Sequence, residues 1–349
     1  VSKVSGSSAV SGVVVTIGEL VVDWISLEKG RDWSESQTFL RSPGGNAANV
    51  AQALAKLGSR SRLVAKIGRD IHAGYLLDAL KQTGVDIDHV YITDQYATAQ
   101  CYVLTDAREE NSFFNWPQPN ACHKLTINDL GDIFDDAQVI HTTGISLTVE
   151  PRSLAIVEVI RMACERGLIV SFDAGFPTGE GEIARTRAME AMAMAHILKV
   201  NLPELYYWLD LRAEDEPLKL DQAGLKRVEE YGKQLRRKTA CEILLLTLGV
   251  QGSIIISDKE SFYTPAVKVE ALDGVGAGDA YCAAILHQLV KVLPLKSAAV
   301  AQGKLAGAID WREAARFANV VGALATRTVS ASQGLPTIAE VESFYSRHY

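Results

Sequence analysis

The stretch Asp273-Gly-Val-Gly-Ala-Gly-Asp279 joins two kinds of chemistry within a few residues. It follows a strand-like run over 263–272 and precedes an apolar pattern of helical period over 280–290. A strand, a glycine turn and a helix start in that order predict an anion site. Small residues let the backbone N–H groups of Gly276, Ala277 and Gly278 come close to a charged oxygen, and the helix dipole favours negative charge there. Asp279 then needs its own explanation, because a carboxylate beside an anion repels it. One reading gives it a proton to take from an attacking hydroxyl; the other makes it a helix cap beside a tight turn.

A second distinctive stretch is Ser42-Pro-Gly-Gly-Asn-Ala-Ala-Asn49. From Ala47 the residues Val50, Ala51, Leu54 and Leu57 recur at helical spacing until Gly58, so Asn46 stands at a helix start. It reads either as an N-cap or, with Gly44 and Gly45, as a donor and acceptor set for the hydroxyls of a polar ligand. Asp23, among the apolar neighbours of the segment 20–25, reads equally as a turn residue at a strand end or as a polar group lining a site.

The elements that must position these residues alternate between strand and helix. Strand-like runs are expected at 13–17, 63–67, 85–92, 139–141, 168–172, 197–200, 243–248 and 253–257, and helices at 47–57, 74–83, 130–134, 152–166, 189–194, 226–237, 280–290 and 314–326. That rhythm predicts a mostly parallel sheet wrapped by helices. It breaks at Thr98, where 99–104 and 112–116 flank a polar turn and read as a hairpin. With residues 20–41 this hairpin is expected to form a small separate sheet, a lid. A short helix closes the chain, residues 1–12 read as a flexible tail, and 213–220 as an acidic surface loop.

Composition sets outer bounds. With 48% hydrophobic residues the chain can bury a substantial core, and a net charge of −7 without a basic block argues against nucleic acid as a partner. Apolar runs are strand-sized, so no membrane span is expected. Five scattered cysteines, without Cys-x-x-Cys or matching histidine pairs, argue against a zinc site or a disulfide framework and fit a reducing compartment, the cytoplasm. The chain does not begin with Met, and a removed organelle-targeting segment stays open.

Four stretches in one order, Pro43-Gly-Gly-Asn46, Asn201-x-x-Glu204, Thr247-Leu-Gly-x-x-Gly252 and Gly276-Ala-Gly-Asp279, closely resemble the ribokinase-like (PfkB) carbohydrate kinases from about Val13 to the end. The resemblance implies an α/β fold, a three-layer α/β/α sandwich with a mostly parallel central sheet and a small β-sheet lid formed by residues 20–41 and 97–118. It implies ATP-dependent phosphorylation of a primary hydroxyl of a small sugar, with Asp279 as base and Gly276, Ala277 and Gly278 as the anion hole. By the same resemblance Asp23, Gly44, Gly45 and Asn46 contact the sugar. Thr247, Gly249, Gly252 and Asn319 contact ATP, and Asn201 and Glu204 organise Mg²⁺ through waters.

Three departures qualify it. Asp273-Gly274-Val275 replaces a common Asp-Thr-Thr beside the loop that holds a monovalent cation such as K⁺ in many relatives; Asp173-Ala-Gly-Phe-Pro177 replaces an Asp-x-Asn-x-Arg pattern; and the lid lacks an Arg in Phe114-Asn-Trp-Pro-Gln118. Trp116 reads as lid packing or as a platform for a sugar face. Fructose or a related ketose is the first expected substrate, with 2-keto-3-deoxygluconate, ribose and adenosine as alternatives. A kinase-like scaffold of reduced activity is the reading from another class. The exposed lid sheet could pair two copies into a homodimer.

Overall fold

The computed structural model describes residues 12–106, 111–176, 181–212, 220–293 and 305–349. The expected tail, apart from Gly12, and the acidic loop, apart from Leu220, lie outside the described residues.

The strands are β1 (Val13–Ile17), β2 (Val21–Ser26), β3 (Phe39–Gly44), β4 (Ser61–Gly68), β5 (Val90–Thr93), β6 (Gln100–Thr105), β7 (Asn111–Trp116), β8 (Ala137–Thr143), β9 (Ile169–Asp173), β10 (Ile197–Asn201), β11 (Ile243–Thr247), β12 (Gly252–Ile256) and β13 (Ser261–Pro265). The helices are α1 (Asn46–Lys56), α2 (Ile71–Thr83), α3 (Arg152–Glu165), α4 (Glu182–Met194), α5 (Leu202–Trp208), α6 (Gln222–Thr239), α7 (Ala277–Val292), α8 (Trp311–Ala325) and α9 (Ile338–His348).

Nine strands form the main sheet in the order β13-β12-β11-β10-β9-β8-β1-β4-β5. Pairing is parallel from β11 to β5, and β12 and β13 add an antiparallel edge. Its central strands read as unbroken apolar runs because both faces are covered. Ile243 and Leu245 pack with α1, α7 and α8 on one face, while Leu244 and Leu246 pack with α3, α4 and α6 on the other. The expected three layers are therefore present. Among the described residues no helix is long and apolar enough to cross a membrane.

The chain leaves β1 toward β4 on one side and returns beside it as β8 on the other. Such a reversal opens a crevice at the carboxyl ends of the strands, the usual ligand position in open α/β sheets. Here the two loops that flank the crevice nearly touch: a Cβ added at Gly18, after β1, would lie 2.3 Å from Ser146 Oγ, after β8. The lid forms as expected, a separate sheet in the order β3-β2-β6-β7, although its first segment continues through Gly44 rather than stopping at residue 41.

Three expected elements change. The strand expected over 85–92 forms as a strand only at Val90–Thr93, with an isolated parallel bridge from Asp86 to Arg62 before it. The helix expected at 130–134 is absent; this stretch follows 3₁₀ turns at Ala121–Lys124 and Ile127–Asp129 and carries Gly131 and Asp132, which favour turns. The run 263–272 stays in the sheet only to Pro265, whose ring supplies no N–H to extend the ladder.

Candidate active site

The helix α7 begins where the sequence places it. Gly276, at φ +81°, is its N-cap and makes no side-chain cap. A Cβ on Gly276 would sit 2.5 Å from Ala331 Cβ, so the turn accepts only glycine. The approach is braced by Asp273, whose Oδ1 accepts from the Val275 N–H at 3.0 Å and whose Oδ2 accepts from the Ser330 N–H at 3.2 Å. The first intrahelical bond runs from Ala280 N–H to Gly276 O. The N–H groups of Ala277, Gly278 and Asp279 in the first turn therefore have no partner from the helix ladder.

A buried cation lies beneath this turn. A Cβ on Gly278 would be 3.1 Å from Lys199 Nζ, and Lys199 pairs with Asp173 at 2.9 Å, both side chains nearly inaccessible. Burial works against the Lys199 charge, but Asp173, Glu204 and Asp279 outweigh it and hold the ammonium above its ordinary value. Sequence reading took Lys199 only as part of a strand. The signal was a lone lysine inside the apolar run Ile197-Leu-Lys-Val200.

Asp279 is not the helix cap. It sits in the first turn of α7, buried, and its carboxylate accepts from α1: Asn49 Nδ2 donates to Oδ2 at 2.9 Å and Asn46 Nδ2 to Oδ1 at 3.4 Å. Nor is Asn46 an N-cap. Gly45, at φ +97°, holds that position without a side-chain bond, and Asn46 is the first helical residue. Asn49, one turn further along the same face, makes the shorter contact and was passed over in the sequence. Burial pushes the Asp279 carboxyl up to about 7, with the two asparagine donors and Lys199 opposing the shift and Asp173 adding to it.

Asp23 lies in β2 of the lid, buried, and burial together with the Asp279 charge pushes it up to about 7 as well. Two carboxyls, one on a lid strand and one in the first turn of α7, thus share one field. Gly44 explains itself here: a Cβ would meet Asp23 Oδ2 at 1.9 Å. At Gly45 a Cβ would meet Glu19 O at 2.5 Å. The Glu19 carboxylate is in turn held by Arg152 at 2.9 Å and by the Ser146 hydroxyl, which locks the crevice wall.

Asn201 and Glu204 form a reciprocal capping box at the start of α5. Asn201 Oδ1 accepts from the Glu204 N–H at 2.8 Å, and the Glu204 carboxylate accepts from Asn201 N–H and Nδ2 at 2.8 and 2.7 Å. Burial raises the Glu204 carboxyl, and Lys199 tempers this. Among the described residues no group of three or more His, Cys, Asp and Glu side chains could hold a metal. One hard carboxylate with a neighbouring amide still fits a Mg²⁺ ion that keeps its waters and leans on substrate phosphates.

The other expected residues lie along β11 to β13. Thr247 ends β11, Gly249–Gln251 form a 3₁₀ turn, and Gly252, at φ +115°, opens β12. A Cβ at Gly252 would meet Thr264 O at 2.2 Å, whereas one at Gly249 would meet open space. Asn319 in α8 is buried and fully engaged: Nδ2 donates to Thr264 O and Pro265 O, and Oδ1 accepts from Ser253 Oγ. It fastens the β12–β13 edge beside the Gly252 turn.

Together these parts supply oriented N–H groups, a buried cation and a carboxylate that titrates near neutrality, the set that phosphoryl transfer requires. The pattern described as "pfkB family carbohydrate kinase" matches residues 12–338. Fructokinase-1 of Zea mays is 32% identical over 333 residues, covering 94% of this chain and 96% of that protein. A fructokinase from Xylella fastidiosa with bound ATP superposes with a TM-score of 0.81 at 24% identity, covering 96% of this chain and 98% of that one. A putative ribokinase II from E. coli in complex with ATP and Mg²⁺ superposes with a TM-score of 0.75 at 22% identity, covering 97% of this chain and 100% of that one. A fold, a crevice and a family pattern that coincide over nearly the whole chain make it a member of the pfkB family of carbohydrate kinases, a phosphotransferase acting on sugars.

Proposed function

We propose that this kinase transfers the γ-phosphoryl group of ATP to a primary hydroxyl of fructose or a related ketose. The observation that carries the chemistry is Asp279: a buried carboxyl pushed up to about 7 in the first turn of α7, beside the Gly278 N–H, which the helix ladder leaves without a partner. The fructokinase relatives support the choice of sugar.

Asp279 removes the proton from the substrate hydroxyl as its oxygen bonds to the γ-phosphorus, and the bond from that phosphorus to the bridging oxygen breaks to release ADP. The proton stays on the Asp279 carboxyl until solvent takes it. N–H groups of Gly276, Ala277 and Gly278 receive the charge on the transferring oxygens, with Lys199 beneath them. Asp23, Gly44, Gly45 and Asn46 orient the sugar, and closure of the lid excludes water that would otherwise take the phosphate. Thr247, Gly249 and Gly252 face the nucleotide, with Asn319 holding their strand edge. Mg²⁺, when bound near Asn201 and Glu204, neutralises phosphate charge. A monovalent cation such as K⁺ would rely on loop carbonyls, because both oxygens of Asp273 already accept backbone N–H groups.

We assign the enzyme to the cytoplasm, where its five unpaired cysteines stay reduced, and place a second copy against the outer face of the lid, where Trp33, Phe114 and Trp116 are exposed. Sedimentation at micromolar concentration giving only monomer would overturn the dimer.

The activity is tested by ATP consumption with Mg²⁺ on fructose, ribose, 2-keto-3-deoxygluconate and adenosine, with Asp279→Asn alongside. Rapid turnover of fructose, silenced by about 10²- to 10⁴-fold in the variant while ATP still binds, is the expected result. Preference for another member of the panel would overturn the sugar, and a fully active variant would overturn the base. Bound ATP with no turnover of any sugar would favour a scaffold.

A further inference from the structure

The segment Ser330-Ala-Ser332 lies between the lid and the glycine turn of α7. On the turn side, Ser330 N–H donates to Asp273 Oδ2 at 3.2 Å, the carboxylate that also takes the Val275 N–H, and Ala331 Cβ stands 2.5 Å from where a Cβ on Gly276 would be. On the lid side, Ser42 Oγ in β3 is 2.5 Å from Ser330 Oγ and 3.0 Å from Ser332 Oγ. Ser332 Oγ donates to Pro43 O at 2.7 Å, and Val329 packs against the lid cluster that holds Val21, Ile25 and Cys101.

All three serines are buried, so their hydroxyls must find partners within the protein. One direction of donation satisfies them all. Gln333 N–H donates to Ser330 Oγ at 3.3 Å, Ser330 to Ser42, Ser42 to Ser332, and Ser332 to the Pro43 carbonyl. Each hydroxyl then donates once and accepts once, and bonds aligned head to tail polarise one another. Ser330 needs this support. Its φ of +107° lies where a residue with a β-carbon is strained, a conformation that persists only when the surroundings fix it.

The lid end of the chain of hydroxyls lies beside Asp23. Ser42 stands opposite Asp23 in the antiparallel β2/β3 pair, and directly opposed residues project from the same face of a sheet. A connected path therefore runs from the neighbour of Asp23 through Ser42 and Ser330 to Asp273 and the turn that starts α7.

We propose that Ser42 and Ser330 are positioning residues that couple the sugar site to the phosphate turn: a sugar held at Asp23 fixes β3, which holds Ser330 in its left-handed conformation and sets the turn at Gly276 for the nucleotide. The inference rests on the proposed sugar-binding role of Asp23. Sugar and nucleotide then bind cooperatively, each tightening the other by the same factor.

Calorimetry measures that factor. A non-hydrolysable ATP analogue is titrated with and without the tightest-binding sugar among fructose, ribose and 2-keto-3-deoxygluconate, and turnover of the same sugars is followed with ATP. In the wild type the sugar should tighten the analogue by at least about fivefold. Ser42→Ala and Ser330→Gly should each reduce the factor below about twofold while leaving the Kd of either ligand alone within about twofold. Ser330→Gly removes the hydroxyl and relieves the strained φ together, so its result does not depend on a weakened fold. The double variant should be no worse than either single one, because both break the same link. Lys29→Ala removes a different lid contact, from Lys29 Nζ to Leu272 O at 2.6 Å, and should keep the wild-type factor. A factor near one in the wild type, or one retained in both serine variants, would overturn the link while fructose turnover stands. Equal loss in Lys29→Ala would assign the coupling to the lid as a whole and overturn it too. Coupling lost in the serine variants of a chain that phosphorylates none of the sugars would overturn the proposed activity and keep the link. A chain that binds none of them would overturn both.

Discussion

Asn49 and Asp279, 230 residues apart in the chain, meet with Asn49 Nδ2 donating to Asp279 Oδ2 at 2.9 Å. The contact fixes which way the amide points, since the reverse orientation would set its oxygen against a carboxylate. The charged form of Asp279 is favoured by this donor and disfavoured by burial. Replacing Asn49 with Leu should therefore push the carboxyl further up. The acid limb of kcat/KM should move upward by up to about one pH unit, and kcat/KM at pH 7 should fall by about five- to tenfold. An unmoved limb in the pH profile would show that Asn49 serves packing alone.

Asp23 and Asp279 both titrate near pH 7 in the folded chain. From the ordinary value of 3.8 up to about 7, the unfolded chain sheds protons that the folded chain retains. Their contribution to stability is thus fully present below pH 4, falls through that window, and is constant above it. Asp23→Asn should be more stable than the wild type at pH 8 by about 2–4 kcal/mol, with the gap closing near pH 4. Urea unfolding of both proteins at the two pH values checks this, and a gap independent of pH would count against the shared field.

Gly44→Ala tests the approach of β3 to Asp23 directly. Its Cβ would need the place of Asp23 Oδ2, so the carboxylate must swing away. The expected outcome is a KM for sugar raised at least about tenfold with the KM for ATP within about twofold, as for loss of a charged hydrogen bond confined to one substrate. Equal loss for both substrates would indicate a displaced lid.

Lys199 neutralises Asp173 and also lies against Gly278. Lys199→Met should destabilise the protein by about 3–5 kcal/mol, because it leaves buried acids unpaired. Adding Asp173→Leu should restore much of the stability but not turnover, if the ammonium also serves the transferring phosphate. Recovery of kcat in the double variant would reduce Lys199 to a counter-ion.

The sequence by itself determined the alternation of strands and helices, the break at Thr98 that sets the lid apart, and the glycine turn that delivers Asp279 to the start of α7. Each depends on near neighbours: periodicity, turn chemistry and helix ends are local physics. Even so, locality misjudged the stretches 85–92, 130–134 and 263–272, where apolar composition was present but pairing or turn residues decided otherwise. Partnerships were decided only in three dimensions. Asn46, which reads as a cap or as part of a donor and acceptor set for a ligand, donates to Asp279 from the first helical position, while Asn49 makes the shorter contact. Lys199 became a cation beneath the glycine turn only when β10 came to lie under α7, and Trp116 was placed on the face of the lid opposite Asp23 by a register that no single strand encodes. Distance along the chain carries no information about such meetings, because sheet order and register, set by burial of the whole core, determine which side chains come together.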